Sequence, residues 1–321
     1  MVASEMLVTG MGISRSCSLL GIPRRSYYRW ISEPNEHHPE RTSRIPEYVT
    51  SRIINLSMER TTYGYRRIWA LLRNAGIMLN QKTVMGIMRS HGLLLKPHAR
   101  RKKTSTVLTR SSHPDEVWET DLTYIWTEKE GMTYLFNVKD IFTKEWVGYF
   151  YSRTCNRFDA LMSIENAILR HPERYSEGRV NDTVLRCDNG DQYTSHHFKD
   201  NARLLGFTME FIEKSTPQQN GDVESFHGSL KADYVWTDEF MDFNDAEKKI
   251  GKAFNDYNNV RPHSSVDYLP PSVFRERFLS DPAFRKSYMD KLRKREESMK
   301  LGRGLRAHKE KTESEVKSEY A

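Results

Sequence analysis

At Val117 the spacing of apolar residues changes from a helical period to strand-like alternation, and this change strongly constrains the fold. Three segments rich in β-branched and aromatic residues follow, with a turn signal at Glu130-Gly131 between the first two, which predicts neighbouring antiparallel strands. These segments are Val117–Trp126, Thr133–Lys139 and Glu145–Ser152. Helical and strand patterns then alternate along Phe158–Leu169, Thr183–Cys187, His196–Leu205, Phe207–Phe211 and Asp222–Tyr234, with a further helix over Asn244–Tyr257. The order predicts an α/β layer fold with a mixed five-stranded sheet and flanking helices.

The part of the chain before these strands is basic and is expected to be helical. Residues 1–112 carry a net charge of +13 and residues 113–280 one of −10, within a total of +7. This asymmetry favours a polyanion-binding module joined to a part that gathers cations, although uneven charge without function is the alternative. Residues 12–32 are typical of a short helix-turn-helix with a turn at Gly21-Ile22-Pro23; the alternative is a helical hairpin whose aromatic residues pack on the next domain.

Basic side chains of this front part are candidate contacts to DNA phosphates. Two lie in a predicted helix that begins near Tyr63, and four lie in a basic run that leads into a Ser/Thr-rich stretch and is interpreted as a linker. The candidates are Arg66, Arg67, Arg100, Arg101, Lys102 and Lys103. Solvated helix positions and a merely soluble tether are the alternatives.

Three carboxylates stand at positions where the predicted elements could bring them together. Asp121 lies in the first strand, Asp188 directly follows the fourth, and Glu224 lies near the start of a helix, 35 residues after Asp188. The element order matches the ribonuclease-H-like fold, in which the first and fourth strands are neighbours and this helix crosses their ends. Converging anions repel one another unless cations compensate them, and hard oxygen ligands suit two Mg²⁺ ions, with Mn²⁺ able to substitute. Such ions, about 3.5–4 Å apart, promote in-line displacement at phosphorus; three unrelated surface acids are the alternative.

Residues beside the carboxylates are further candidates for contact with DNA. Asn189 and Gln192 belong to a glycine-containing turn whose amides could approach a phosphate, although a plain turn explains them equally well. Lys231 follows Glu224 by two helical turns on the same face, and we expect it to hold a phosphate. His227, one turn from Glu224, could do the same or could be structural.

Several motifs in one order carry a resemblance to a known family. They are Tyr63-Gly64-Tyr65-Arg66-Arg67-Ile68, Trp118-x-x-Asp121-x-Thr123-Tyr124, Asp188-x-Gly190-x-Gln192-Tyr193, Asn220-Gly221-x-x-Glu224-Ser225-Phe226, Leu230-Lys231 and Tyr257-Asn258-x-x-Arg261-Pro262-His263-Ser264. The chain resembles the second-frame (OrfB) transposases of the insertion-sequence-3 family over roughly residues 12–280. The resemblance implies a ribonuclease-H-like integrase core, Mg²⁺ dependence, a lysine after the glutamate that touches element ends, and a copy-out, paste-in pathway.

Two departures from that family affect what is expected. Cys187 stands where the family usually has Ser, so this position keeps a small side chain. The start of the chain has no heptad run of leucines, so the module that an upstream frame supplies in this family is not evident here. A His-His-Cys-Cys zinc pattern is also missing, which argues against a retroviral type of integrase.

The resemblance implies a transposase that cleaves DNA at insertion-sequence ends and transfers the strands. Its partners would be the terminal inverted repeats, target DNA, further copies of itself and, as a candidate, the upstream-frame (OrfA) product. A non-catalytic DNA-binding remnant or regulator is the alternative, and a structure-specific or hybrid nuclease is disfavoured by the basic front end and the motif at Tyr257–His263. The sequence has no long apolar run, so we expect no membrane span. It has no secretory signal and three scattered cysteines, so we expect the protein in a prokaryotic cytoplasm, associated with the nucleoid.

Five segments are predicted. Residues 1–40 form a helix-turn-helix-like segment, 41–96 a helical DNA-binding domain and 97–114 a basic linker. Residues 115–280 form the catalytic core with a C-terminal extension, and 281–321 a charged tail that is helical or disordered.

Overall fold

The computed structural model describes residues 13–19, 21, 23–24, 28, 45–96, 111–175, 179–212, 221–295 and 297–298, with backbone alone for 15, 16 and 221–224. The chain divides into two compact units, residues 1–52 and 53–321. The predicted second helix of the 12–32 segment and the basic linker fall mostly outside the described residues, as does most of the C-terminal tail.

In the described residues before the sheet, the structure has four helices. They are α1 (Ile13–Leu19), α2 (Glu47–Glu59), α3 (Tyr65–Asn74) and α4 (Gln81–Ser90). The side chain of Asn80 accepts a hydrogen bond from the Lys82 amide and so caps α4. Gly76 and Gly92 follow the two helices with φ of +85° and +68°, a backbone conformation that glycine adopts without steric cost.

The sheet has five strands in the order β3-β2-β1-β4-β5. They are β1 (Val117–Thr127), β2 (Gly131–Asp140), β3 (Trp146–Ser152), β4 (Val184–Cys187) and β5 (Thr208–Phe211). The first three strands pair antiparallel, while β4 pairs parallel with both β1 and β5. The predicted mixed sheet of the ribonuclease-H-like fold is therefore confirmed, with the first and fourth strands adjacent.

One face of the sheet packs on two helices of the crossover connections. Helices α5 (Arg157–Leu169) and α7 (His196–Leu204) cover it, and the four-residue helix α6 (Asp191–Thr194) lies between β4 and α7. Trp118, Phe136, Leu185 and Phe198 are among the buried side chains of this layer. An ideal β-carbon on Gly148 would lie 2.5 Å from the Cα of Ala167, so glycine allows β3 and α5 to approach closely.

The opposite face of the sheet packs on helices that follow β5. Helix α8 (Gly221–Leu230), a π-helical turn (Lys231–Val235) and α9 (Phe243–Asn259) lie on this side. Trp146 is fully buried between β3 and these helices, and its ring meets Phe226 of α8 edge-to-face at 5.5 Å. Asn258 of α9 bonds both the amide and the carbonyl of Trp146, at 2.9 and 2.8 Å. These contacts hold α8 across the sheet on the side where Asp121 points.

Two further helices follow α9 in the described C-terminal part. The sequence patterns did not indicate the first, whereas the second lies in the tail that was expected to be helical or disordered. Pro270 and Pro271 begin α10 (Pro271–Ser280), because proline at the first helical position loses no hydrogen bond. Residues 282–295 form a further helix, α11. Phe142, Phe274, Phe278 and Tyr288 form one buried cluster, so residues on both sides of position 280 share a core. Among the described helices, none is long and apolar enough to span a membrane.

Candidate active site

Asp121 projects from the middle of β1 toward α8. Its side chain is 16% exposed, and one carboxylate oxygen accepts the amide of Leu122 at 2.8 Å. The other oxygen lies 3.5 Å from Nδ1 of His227 on α8. Asp121 is paired in the sheet with Asn137 of β2, whose side-chain amide lies 3.2 Å from Nε2 of the same imidazole.

Asp188 lies at the same level of the sheet as Asp121. Glu119 of β1 pairs with Arg186 of β4 in parallel register, and each aspartate follows its strand residue by two positions. The amide of Gly190 donates to the Asp188 carboxylate at 2.9 Å. Burial, followed by the charges of Asp188 and Asp121, raises the pKa of the Cys187 thiol well above its usual value. Both carboxylates therefore lie near the same buried side chain, one in the middle of β1 and the other directly after the neighbouring parallel strand β4.

Glu224 is the fourth residue of α8, and its side chain lies outside the described atoms. The following turn fixes the helix against the sheet through Phe226, which is buried, and His227, which contacts Asp121 and Asn137. Burial, with the charges of Lys231 and Lys139, lowers the pKa of His227 to about 3. A neutral imidazole offers no charge to a phosphate, which favours the structural interpretation of His227.

The charged surroundings of the carboxylates include Lys231, which the sequence interpretation named, and other charged residues that it missed. Lys231 is half-buried at the start of the π-helical turn, close enough to depress the pKa of His227. Lys139 of β2 is buried, with its ammonium group 5.4 Å from the ring centroid of Phe226. Arg186 joins Glu119 at 3.4 Å and Glu210 at 2.8 Å. The sequence did contain a signal for Glu119 and Arg186, because each is a charged residue that stands two positions before one of the aspartates in a predicted strand.

The amide candidates occupy different environments. Asn189 donates from Nδ2 to the carbonyl of Ile212 at 2.5 Å and so joins the turn after β4 to the end of β5. Gln192 borders an open cavity beside the start of α5, together with Asn156 and Phe158.

The two arginines of α3 also differ. Arg66 is exposed, and its Nε donates to the hydroxyl of Tyr65 at 3.2 Å. Arg67 is partly buried and forms an ion pair with Asp233 at 3.2 Å. Arg100, Arg101, Lys102 and Lys103 lie outside the described residues.

The two aspartates suit a divalent cation. Their oxygens are hard ligands, and each aspartate follows by two positions a residue of the Glu119–Arg186 pair on adjacent strands. Among the described side chains, no group of three or more His, Cys, Asp or Glu residues is arranged to hold a metal. Glu224 would have to supply the third carboxylate of a metal site.

Comparisons with known proteins agree with this architecture. Two family models described as integrase core domain match residues 111–217 and 205–271, and one described as HTH-like domain matches residues 49–103. The transposase for insertion sequence element IS904 of Lactococcus lactis is 31% identical over 66% of this chain and 87% of its own length. Transposase InsD of IS2 from Escherichia coli is 28% identical over 85% and 93% of the two chains. A protein of insertion element IS407 from Burkholderia multivorans is 28% identical over 81% and 89%.

Proposed function

The chain belongs to the insertion-sequence transposases with an integrase core domain, and from that premise we propose that it cleaves DNA at insertion-sequence ends and transfers the freed strands to a new site. The observation that supports the proposal is the parallel pairing of Glu119 in β1 with Arg186 in β4, because Asp121 and Asp188 each follow these paired residues by two positions. Such a placement suits a polynucleotidyl transfer site, because cations held by both carboxylates would offset the negative charge of the reacting phosphate.

Asp121, Asp188 and Glu224 are proposed as the catalytic carboxylates and metal ligands. Together these three residues would hold two Mg²⁺ or Mn²⁺ ions. When bound, the ions would activate a water or a 3′-hydroxyl and stabilise the leaving oxygen. The chain itself orients the ligands: the Gly190 amide holds Asp188, and the Leu122 amide holds Asp121 beside His227.

The reaction needs no covalent bond between protein and DNA. Water first attacks phosphorus at the element end, and the 3′-oxygen leaves with a proton. The resulting 3′-hydroxyl then attacks a target phosphodiester, loses its proton, and displaces the 3′-oxygen of the target strand. Lys231, at the end of the helix that carries Glu224, is proposed to hold a DNA phosphate in line for both steps.

The basic N-terminal part is proposed to bind the DNA. Residues 41–96 would form the DNA-binding domain and 97–114 the linker to the core at 115–280. Arg66, Asn189 and Gln192 remain proposed contacts, as do Arg100, Arg101, Lys102 and Lys103. Synapsis of two element ends calls for more than one copy of the chain, and the upstream-frame product is a proposed partner. Association with the nucleoid would follow from DNA binding.

A DNA joining assay with the element's own ends and Mg²⁺ tests the proposal. Wild type is compared with Glu224→Gln, and with Glu247→Gln as a control in an exposed position of α9. We expect joined or circular product from wild type and Glu247→Gln and none from Glu224→Gln. Product that forms only after the upstream-frame protein is added would make this chain a catalytic half. DNA binding without product in every condition would refute catalysis and favour a non-catalytic DNA-binding protein.

A further inference from the structure

Two arginines from the helical segment at residues 53–90 contact carboxylates that follow α8, the helix that carries Glu224. Arg67 of α3 lies 3.2 Å from Asp233, and Nε of Arg261 lies 2.8 Å from the same carboxylate. Arg60, after α2, forms two hydrogen bonds to Asp256 of α9, at 2.8 and 2.5 Å. We call these five residues the arginine clamp.

The clamp is largely shielded from solvent. The side chains of Asp233 and Arg261 are 4% and 2% exposed, and that of Arg67 is 30% exposed. Tyr63 is buried between the two upstream arginines, with its ring centroid 5.7 Å from the guanidinium of Arg60 and 5.1 Å from that of Arg67. Charge-assisted hydrogen bonds in such surroundings are stronger and more directional than those at the surface.

The clamp holds the π-helical turn that follows α8. Asp233 lies inside this turn, and so does Tyr234, whose hydroxyl donates to Asp256 at 2.8 Å. The turn is wide: the amide of Trp236 donates to the carbonyl of Lys231 at 2.8 Å, five residues earlier. Such a turn is less favourable than an α-helical one and occurs mostly at functional sites, so neighbouring contacts must stabilise it. Two of its five residues are held by the clamp.

The turn begins with Lys231, directly after the helix that carries Glu224. Its geometry therefore decides where the ammonium group of Lys231 lies relative to the catalytic carboxylates. Arg67 is 166 residues away in the chain but contacts this turn directly. Its guanidinium is occupied by Asp233 and Tyr63, whereas Arg66 on the same helix is exposed.

We propose that Arg67 is a positioning residue and not a contact to DNA: through Asp233 it fixes the π-helical turn and places Lys231 for strand cleavage and transfer. The part that concerns Lys231 rests on the proposed function. The docking of residues 53–90 on the turn thus joins a segment of the HTH-like match to the geometry of the active site. A displaced α3 would leave Asp233 with Arg261 as its remaining arginine in the clamp, loosen the turn and lower the rate of the chemical step.

The test uses the full chain with Arg67→Gln, Arg67→Lys and, as comparison, Arg66→Gln. Hydrogen exchange of the peptide that spans residues 231–236 reports the turn without any need for activity. Arg67→Gln should exchange roughly tenfold faster there, because the opening free energy of the segment falls. Arg67→Lys keeps the charge but loses the planar guanidinium, so its exchange rate should lie between those of wild type and Arg67→Gln. Arg66→Gln should exchange like wild type.

DNA binding and rate separate positioning from phosphate contact. The dependence of binding on salt should keep its slope in Arg67→Gln, whereas losing one phosphate contact lowers the slope by about 0.9. With DNA saturating, the single-turnover joining rate of Arg67→Gln should fall at least about tenfold, since small displacements of positioning groups are costly.

Two results would overturn the proposal: a lowered salt slope with normal exchange in Arg67→Gln, or wild-type exchange and rate in both Arg67 variants. If circular dichroism shows that Arg67→Gln is unfolded, the same comparisons are made with Arg67→Lys. Wild type that yields no joined product would refute the proposed function, while the exchange comparison would still decide whether Arg67 holds the turn.

Discussion

Replacing Arg275 of α10 by Met should destabilise the protein by roughly 3–5 kcal/mol at neutral pH, because buried carboxylates would lose their counter-charge. The Arg275 side chain is 6% exposed, and both of its terminal nitrogens bond Asp115, one of them at 3.0 Å. The same guanidinium lies 3.6 Å from Glu145 and 3.9 Å from Asp140. Glu145 also has a second cationic partner, Arg174 at 2.9 Å, which the substitution leaves in place.

The loss should depend on pH. Burial acts to raise the pKa of Asp115, but the hydrogen bonds and charge of Arg275 hold this pKa below 3.8. The stability that Asp115 contributes is therefore present above pH 3.8 and is lost as the pH falls through the folded-state pKa. Burial, and then the charge of Asp115, raises the pKa of Asp140 from 3.8 to about 6. Its contribution to stability is present below pH 3.8 and lost as the pH rises through about 6, a cost of about 3 kcal/mol at neutral pH.

Arg275→Met removes the charge that limits this rise. Asp140 should then take up its proton at higher pH, so the deficit of the variant should be largest at pH 7.5 and smaller at pH 5. Urea unfolding followed by tryptophan fluorescence at both pH values measures it, and the buried Trp118 bonds Asp115 directly at 3.1 Å. Arg277→Met is the control: this exposed arginine, 3.7 Å from Asp281, should cost less than about 1 kcal/mol. Equal losses in the two variants, or a deficit that grows toward pH 5, would refute the reasoning.

Other substitutions probe packing and accessibility. Gly148→Ala should cost about 1–3 kcal/mol in urea unfolding, since its β-carbon would lie 2.5 Å from the backbone of Ala167; wild-type stability would show that β3 and α5 can separate freely. Asn258→Ala should cost roughly 2–5 kcal/mol, because it leaves the buried amide and carbonyl of Trp146 without the side chain that bonds both, and a loss below 1 kcal/mol would contradict this. Alkylation of the native protein, followed by mass spectrometry, should label the exposed Cys155 and spare the two buried cysteines; equal labelling would contradict their burial.

The element order was predictable because each strand and helix carries its own period. The alternation from Val117 and the turn at Glu130-Gly131 indicated the β1–β2 hairpin, which the structure forms with a turn before Gly131. Helix α10 was missed because a pair of prolines can end one helix or begin the next, and only the space beside α9 decides between them.

The candidate site was predictable to the extent that it depends on strand order. Asp121 and Asp188 could be paired from the expected neighbours in the sheet, and the register of Glu119 with Arg186 places them level. The roles of Glu224 and of the DNA-contacting residues stay predictions. His227 could not be assigned from spacing, because the burial that lowers its pKa comes from packing against β2.

The sequence by itself determined which segments are strands and helices and which acids stand at their ends, since backbone period and turn chemistry act over a few neighbouring residues. Only the tertiary structure decided which charges meet. Arg67 and Asp233 are 166 residues apart, and Arg275 and Asp115 are 160 apart. The sequence alone does not show whether an arginine contacts a phosphate or a buried carboxylate. Its partner is set by the packing of whole helices, and the cost of burying an unpaired charge then makes that pairing specific.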